Sequence, residues 1–216
     1  PGNIEDAARI LRSGQVCAFA TETVYGLGAD ATNSHAVLSI FETKGRPRFN
    51  PLIIHCADLQ MAERYAVLGS MARKLAERFW PGPMTMVLPL RPQSGISELV
   101  TAGLSTIAVR VPAHEVAREL IERTGVPLAA PSANPSGKLS PTTADQVRIA
   151  FDDRVPVLEG GACQRGLEST IILVDGESVT QLRAGALPRR EIEAFLAKPI
   201  PTAGHDAAIA APGMLR

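Results

Sequence analysis

Cysteine, histidine and aromatic residues are scarce in this sequence of 216 residues. It has only three cysteines, none of them in C-x-x-C spacing, and its four histidines form no H-E-x-x-H motif. These spacings argue against a disulfide framework and a zinc site, and they favour a reducing, cytoplasmic environment. We therefore expect no metal site built from protein ligands.

The chain also lacks an excess of charge and long apolar runs. Lys plus Arg equals Asp plus Glu, at 22 each, and aromatic residues make up 4% of the sequence. A balanced charge and few aromatics argue against a broad nucleic-acid surface, so any RNA binding is expected to be weak and local. No apolar run approaches the roughly 20 residues of a membrane span, so we expect no membrane partner.

The established phosphate-binding loops are missing as well. The sequence contains no P-loop motif G-x-x-x-x-G-K-[ST], and it also lacks the G-x-S-x-G nucleophile elbow of hydrolases. Residues 26–31 match the dinucleotide fingerprint only loosely, because five residues separate the first glycine from the preceding strand. If a nucleotide binds, side-chain cations must hold its phosphates.

Cations of this kind cluster between residues 44 and 51. Lys44, Arg46 and Arg48 lie within five residues, in a loop that Pro47 and Pro51 stiffen. An arginine fork suits phosphate oxygens, and a lysine supplies a point charge. The alternative is an ordinary solvated surface loop.

Short β-rich segments alternate with amphipathic helices along the chain. The hydrophobic patterns predict strands at Val16–Ala20, Leu52–Cys56, Thr85–Leu90, Thr106–Val111, Leu128–Ala130, Ser169–Asp175 and Ser178–Leu182. Residues 21–32 are predicted to be a glycine-containing loop. The pattern indicates an α/β (mixed α+β) fold with a mixed parallel and antiparallel sheet flanked by helices. Residues 1–197 are predicted to form one domain, and residues 198–216, rich in Pro, Ala and Gly, a linker.

Polar side chains stand at the ends of three of the predicted strands. Residues 132–137 read S-A-N-P-S-G, Ser169 and Thr170 begin a strand, and Arg183 ends one. Loops at strand ends often carry functional sites in α/β sheets, although each of these segments alone is equally typical of a turn or a sheet edge.

Taken together, these segments resemble the YrdC-like domain of the threonylcarbamoyl-AMP synthases. The segments that carry the resemblance are Thr21–Gly28, Lys44–Pro47, Asn50–Leu52 with His55, Pro131–Gly137 and Ser169–Ile171. Their order and spacing fit the family from about Ile4 to Leu196. The resemblance implies the twisted, helix-covered mixed sheet of the YrdC-like fold.

The resemblance also implies a nucleotidyl-transfer reaction. Its substrates are ATP, L-threonine and bicarbonate or CO₂, and its products are threonylcarbamoyl-AMP and pyrophosphate. Mg²⁺ accompanies ATP as the cofactor. The product is passed to a downstream threonylcarbamoyl transferase complex that modifies an adenosine in tRNA.

The family pattern assigns residues of this chain to two ligands. Lys44 and Arg46 are the proposed catalytic cations that hold phosphates, and Arg110 is expected to pair with the threonine carboxylate. The residues implied for threonine are Thr23, His55, Arg110, Ala130 and Ser169. The residues implied for ATP are Arg46, Asn50, Thr106, Ser132, Asn134, Ser140 and Arg183.

The sequence departs from the family pattern at one position and resembles its longer members at another. Ala20 stands where the family usually has proline. Residues 211–216 resemble the start of the linker that leads to a second domain in longer members. We expect the segment 198–216 to fold back over the nucleotide pocket as a lid, anchored by Met214 and Leu215. The alternative is a plain tether that leads to a C-terminal domain.

Two alternative functions remain open on the sequence. One is a YrdC-like module that binds double-stranded RNA without synthase activity. The other is a related enzyme that makes carbamoyl-AMP from carbamoyl phosphate, although such proteins carry cysteine clusters that this chain lacks.

Overall fold

A single sheet with helices packed around it organises the computed structural model, which describes residues 1–204. The helices are α1 (Ile4–Arg12), α2 (Ser34–Lys44), α3 (Leu59–Tyr65), α4 (Ser70–Phe79), α5 (Glu98–Thr101), α6 (Glu115–Thr124), α7 (Ala144–Ala150) and α8 (Arg189–Leu196). The strands are β1 (Cys17–Phe19), β2 (Gly26–Asp30), β3 (Ile53–His55), β4 (Met84–Pro89), β5 (Thr106–Arg110), β6 (Leu128–Ala129), β7 (Val157–Leu158), β8 (Thr170–Asp175) and β9 (Ser178–Arg183).

The nine strands of residues 1–204 form one mixed sheet in the order β7-β1-β2-β6-β3-β5-β4-β8-β9. Strand pairs β1–β7, β3–β5 and β4–β8 are parallel, and the other neighbouring pairs are antiparallel. The predicted mixed α/β fold is therefore confirmed, including the hairpin between β8 and β9.

Helix α2 is capped at both ends by residues that suit those positions. The side chain of Asn33 accepts hydrogen bonds from the backbone N–H groups of His35 and Ala36, which caps the first turn. Gly45 then ends the helix in the left-handed conformation, with φ of 59°. This ending places Lys44 on the last turn and directs the chain into the basic loop.

The predicted loop at residues 21–32 is wrong for its second half, which forms strand β2. The glycines there serve close packing, since a Cβ on Gly28 would lie 2.6 Å from the ring of Phe19. Strand β2 pairs with β1 and β6 and is buried over most of its length. Glycine was misread as a loop signal because the pattern does not reveal how closely a neighbouring ring approaches.

Two short elements, α5 and β7, were also missed by the sequence reading. Strand β7 has two residues, and α5 has four. Elements this short contain only about one period of a hydrophobic pattern, so no repeat is present by which periodicity could identify them.

The described start of the predicted linker packs against the domain. Ile200 is 1% exposed, and residues 201–203 hydrogen-bond along the edge of β9 through Gln181. The expected fold-back at Met214 and Leu215 falls outside the described residues. Among residues 1–204, no helix has both the length and the apolar character to cross a membrane.

Candidate active site

An open pocket lies at the carboxyl ends of the parallel strands β3 and β5. Their last residues, His55 and Arg110, are register partners, so the two side chains enter the pocket side by side. Ligands of α/β sheets commonly bind at the carboxyl ends of strands. The predicted residues that line the pocket are Thr23, Arg46, Asn50, His55, Arg110, Ala130, Ser132, Ser169 and Arg183.

Four predicted residues do not line this pocket. Thr106 begins β5, four residues before Arg110 and therefore about 13 Å away along the strand. Lys44 and Asn134 are buried behind the wall that Ser132 contributes, and Ser140 contacts the pocket only through Glu168. Direct contact of these four side chains with a ligand stays a prediction.

Arg110 is buried and already carries a carboxylate partner. Its guanidinium donates to Glu22 Oε1 at 2.6 Å, to Thr23 Oγ1 at 3.0 Å and, through Nε, to the carbonyl of Gly82 at 3.2 Å. A guanidinium has five N–H donors, so two remain for a ligand. Arg110 can therefore bind a substrate carboxylate without being left as an uncompensated buried charge in the empty pocket.

A chain of hydroxyl groups orients Thr23 in the same wall. Thr21 Oγ1 donates to the carbonyl of Val24 at 2.6 Å and lies 2.8 Å from Thr23 Oγ1. Since the proton of Thr21 is used on Val24, Thr23 must donate in the second contact. Thr23 Oγ1 also accepts a hydrogen bond from Arg110. It can therefore accept one further hydrogen bond, from an N–H or O–H group of a substrate.

His55 enters the pocket as a neutral ring. Burial, with a smaller contribution from the neighbouring charge of Arg110, lowers its pKa to about 3. Its Nδ1 atom is buried and finds no hydrogen-bond partner within residues 1–204. A buried, unsatisfied ring nitrogen beside a cation can accept a hydrogen bond from a substrate hydroxyl or amine.

Arg46 and Arg183 supply the cationic side of the pocket. Burial lowers the pKa of Arg46 to about 10, with a smaller contribution from Arg183, so Arg46 stays charged at neutral pH. Arg46 donates to the carbonyl of Pro51 at 2.9 Å, and Arg183 donates to the carbonyl of Ser169 at 2.8 Å. Both guanidinium groups are fixed by backbone carbonyls, so they are aimed before any anion arrives.

Lys44 holds the loop at residues 132–137 from behind. Its Nζ donates to the carbonyls of Ser132, at 2.6 Å, and Asn134, and its own carbonyl accepts from Ser136 N–H at 2.9 Å. Burial, with a smaller contribution from the charge of Arg46, lowers the pKa of Lys44 to about 7. In this structure Lys44 shapes the pocket wall, and its expected contact with phosphates stays a prediction.

Two glutamates of the site were missed in the sequence. Glu22 is the partner of Arg110, and Glu168 lines the pocket between Ser140 and Arg183. Each lies inside or directly beside a segment that carries the family resemblance, which is the signal that could have found it. A buried arginine also requires a carboxylate, but sequence alone does not show which one.

The pocket offers little to a metal ion by itself. Within residues 1–204, no group of three or more His, Cys, Asp or Glu side chains is placed to hold one. Glu168 is the one carboxylate among the described lining residues. The side chains that meet here are arranged instead to bind an anion and a small polar molecule.

Comparison with known proteins agrees with this site. The family model for the Sua5, YciO and YrdC proteins, described as telomere recombination, matches residues 9–185. The threonylcarbamoyl-AMP synthase of Bacillus subtilis is 46% identical over 195 residues, which cover 89% of this chain and 56% of that protein. The threonylcarbamoyl-AMP synthase of Pyrococcus abyssi is 49% identical over 192 residues, with coverages of 88% and 56%.

A solved structure extends the likeness to the backbone. Sua5 of Pyrococcus abyssi, complexed with L-threonine, superposes with a TM-score of 0.92 at 46% identity and covers 98% of this chain and 63% of that one. The chain thus spans little more than half the length of these relatives. Because the family model and the relatives both match most of the chain, it belongs to the Sua5–YciO–YrdC family.

Proposed function

We propose that this chain carries the catalytic site of an L-threonylcarbamoyladenylate synthase. The reaction joins L-threonine, bicarbonate or CO₂ and ATP into threonylcarbamoyl-AMP and releases pyrophosphate. One observation supports this proposal above all. Thr23, His55, Arg110 and Ser169, from four distant segments, share one pocket with Arg46 and Arg183.

L-threonine is proposed to bind at the end of β3 and β5. The free N–H groups of Arg110 would take its carboxylate, and Thr23 and neutral His55 would accept hydrogen bonds from its amine or hydroxyl. Ser169 is held by Thr85 Oγ1 at 2.7 Å and adds a further hydroxyl. The Pyrococcus relative, solved with L-threonine, supports this choice of ligand.

ATP is proposed to lie along the cationic side of the pocket. Arg46 and Arg183 would contact its phosphates, and Asn50 and Ser132 would fix its position. The guanidinium groups are held before ATP arrives, so little reorganisation opposes binding of the charge that develops during transfer. No covalent intermediate with the protein is required.

The chemistry proceeds in two bond-forming steps. The threonine ammonium loses a proton to solvent, the resulting amine attacks the carbon of CO₂, and loss of a second N–H proton to solvent gives the carbamate. A carbamate oxygen then attacks the α-phosphorus of ATP, and the bond to the β-phosphate oxygen breaks to release pyrophosphate. The carbamate and ATP are both anions, so the cations of the pocket are needed to bring them together.

Mg²⁺ is proposed to enter as part of the nucleotide substrate. Magnesium commonly keeps several waters and binds substrate phosphates with few protein ligands. Glu168 is the single carboxylate among the described residues that line the pocket. This lining suits Mg²⁺ bound to the nucleotide better than a metal ion held by protein ligands alone. The product would serve a cytoplasmic threonylcarbamoyl transferase that acts on tRNA.

Isotope labelling tests the proposed reaction directly. Purified protein is incubated with L-threonine, Mg-ATP and ¹³C-bicarbonate, and the product is analysed by mass spectrometry. The expected product is an AMP adduct of threonine that is one mass unit heavier than with ordinary bicarbonate. An AMP adduct without the label, or release of AMP or ADP alone, would reject the synthase.

A further inference from the structure

Glu168 is an unexpected feature of a pocket that is built for anions. It is the one acidic side chain among the described residues that line the pocket, where Arg46, Arg110 and Arg183 also lie. Arg110 already has its own partner in Glu22, at 2.6 Å. The charges of Arg46 and Arg183 therefore depend on Glu168 for compensation.

The contacts of Glu168 coincide with groups expected to bind ATP. Its Oε1 accepts a hydrogen bond from Ser140 Oγ at 2.9 Å, and its Oε2 lies 3.5 Å from Arg183 Nη1. Ser140 and Arg183 are both residues that the family resemblance assigns to ATP. The carboxylate thus contacts the same two side chains that a phosphate would contact.

The same carboxylate acts on three buried cations. Burial lowers the pKa values of Lys44, Arg46 and Arg183, and the negative charge of Glu168 opposes that effect at each of them. Without it, Arg46 and Arg183 would face each other across a partly desolvated space. The carboxylate therefore opposes the fall in pKa at each of the three cations and favours their charged forms.

The backbone of Glu168 is fixed while its side chain can leave. Its carbonyl accepts from Ala186 N–H at 2.8 Å, and Gly185 packs so closely on it that a Cβ there would lie 2.3 Å from the carbonyl oxygen. The side chain, by contrast, is 40% exposed. A change of rotamer would move the carboxylate into solvent without disturbing the pocket wall.

We propose that Glu168 is the resident counter-ion of the nucleotide subsite and that an incoming phosphate group replaces its carboxylate at Ser140 and Arg183. The identity of the anion as ATP or pyrophosphate rests on the proposed function, but the exchange itself does not. Binding of each anion must then displace a carboxylate, which moderates affinity. The same competition favours departure of pyrophosphate after the reaction.

Anion titration of a neutral isostere tests this exchange. Glu168→Gln keeps the shape and the contact with Ser140 but removes the charge. In EDTA at low ionic strength, calorimetric titration with pyrophosphate should show about tenfold tighter binding than the parent, because one repulsive charge near the anion has been removed. The matched control is Glu177→Gln, which makes the same charge change at the exposed hairpin turn and should bind like the parent.

Unchanged or weaker pyrophosphate binding by a folded Glu168→Gln protein would overturn the proposal. So would weaker binding of Mg-ATP together with unchanged binding of metal-free ATP, because that result would make Glu168 a metal ligand. These titrations require no turnover, so a failed synthase assay and a failed exchange are separate outcomes.

A structural measurement on the unmodified protein keeps the proposal testable if the variant does not fold. Crystal structures with and without pyrophosphate should show the carboxylate leaving Ser140 and Arg183 as the anion takes its place. A carboxylate that keeps both contacts while pyrophosphate is bound would overturn the exchange.

Discussion

Two neighbouring side chains, Arg110 and His55, set the electrostatic character of the pocket at the ends of β3 and β5. Arg110 is buried, charged and balanced by Glu22. His55 lies beside it in register and stays neutral because burial lowers its pKa, with a smaller contribution from the charge of Arg110. The pair therefore offers donors for a carboxylate next to an acceptor for an amine or hydroxyl.

The neutrality of His55 predicts a pH-dependent stability. The unfolded chain accepts a proton on this ring near pH 6.5, whereas the folded chain does so only near pH 3. The free energy of unfolding should therefore fall as the pH drops through this range, by about 2 kcal/mol between pH 7 and pH 5. In urea unfolding, the free energy of unfolding of His55→Asn should fall less than that of the parent between pH 7 and pH 5, by about 2 kcal/mol.

The control for this prediction is His35→Asn, an exposed histidine on α2. It should follow the parent protein across the same pH range. Parallel stability curves for the parent and His55→Asn would mean that His55 is not held neutral by the fold.

Arg46 and Arg48 lie two residues apart in one loop, but only Arg46 lines the pocket. Arg46 lines the pocket, and Arg48 is exposed on the same loop. Arg46→Ala should weaken Mg-ATP binding by about 2–5 kcal/mol, because a partly desolvated phosphate contact is lost. Arg48→Ala should leave Mg-ATP binding near that of the parent in the same calorimetric titration. Equal affinities of the two variants for Mg-ATP would contradict the phosphate contact of Arg46. They would favour the interpretation of the whole loop as a solvated surface.

At the scale of elements, the end of helix α2 connects the basic loop to the loop after β6. Lys44 belongs to the last turn of α2, yet its ammonium group holds two carbonyls about 90 residues further along the chain. One element thus fixes both the loop that carries Arg46 and the loop that carries Ser132. The geometry of the pocket wall that Arg46 and Ser132 form depends on this connection.

Removal of the lysine ammonium should release the second loop. Lys44→Met leaves the buried carbonyls of Ser132 and Asn134 without their donor, which should destabilise the fold by about 2–4 kcal/mol. Hydrogen exchange of residues 132–139 should become faster than in the parent. Lys74→Met, at an exposed position of α4, is the control and should change neither quantity. Unaltered exchange in Lys44→Met would show that the ammonium does not hold the loop.

Element-scale structure was predictable where a local signal exists. Asn33 and Gly45 bound helix α2 through capping chemistry that acts within a few residues. Strand β2 was not predictable as a strand, because the packing of Gly28 against Phe19 is a contact between neighbouring strands. Local propensity describes a residue's own backbone, and it gives no information on which ring will approach it.

At the scale of the whole molecule, the site gathers residues that are far apart in sequence. Thr23, His55, Arg110, Ser169 and Arg183 reach one pocket because β3, β5, β8 and β9 belong to one sheet. The family resemblance predicted these members. It did not predict the ion pair of Arg110 with Glu22, 88 positions away, because only the folded sheet brings the two together.

The whole-molecule picture also bears on the alternative functions. The named relatives of Bacillus subtilis and Pyrococcus abyssi are synthases, and the cations described here face into a pocket. Neither observation favours a module that binds double-stranded RNA. The proposed synthase should instead turn over only when all three of its proposed substrates are present.

Pyrophosphate release with single omissions tests that central claim most directly. The protein is assayed with L-threonine, bicarbonate and Mg-ATP, and then with each left out in turn, using CO₂-depleted buffer for the bicarbonate omission. We predict rapid release with the complete mixture and a fall to background in every omission. Pyrophosphate release that continues undiminished without L-threonine would contradict the proposed synthase.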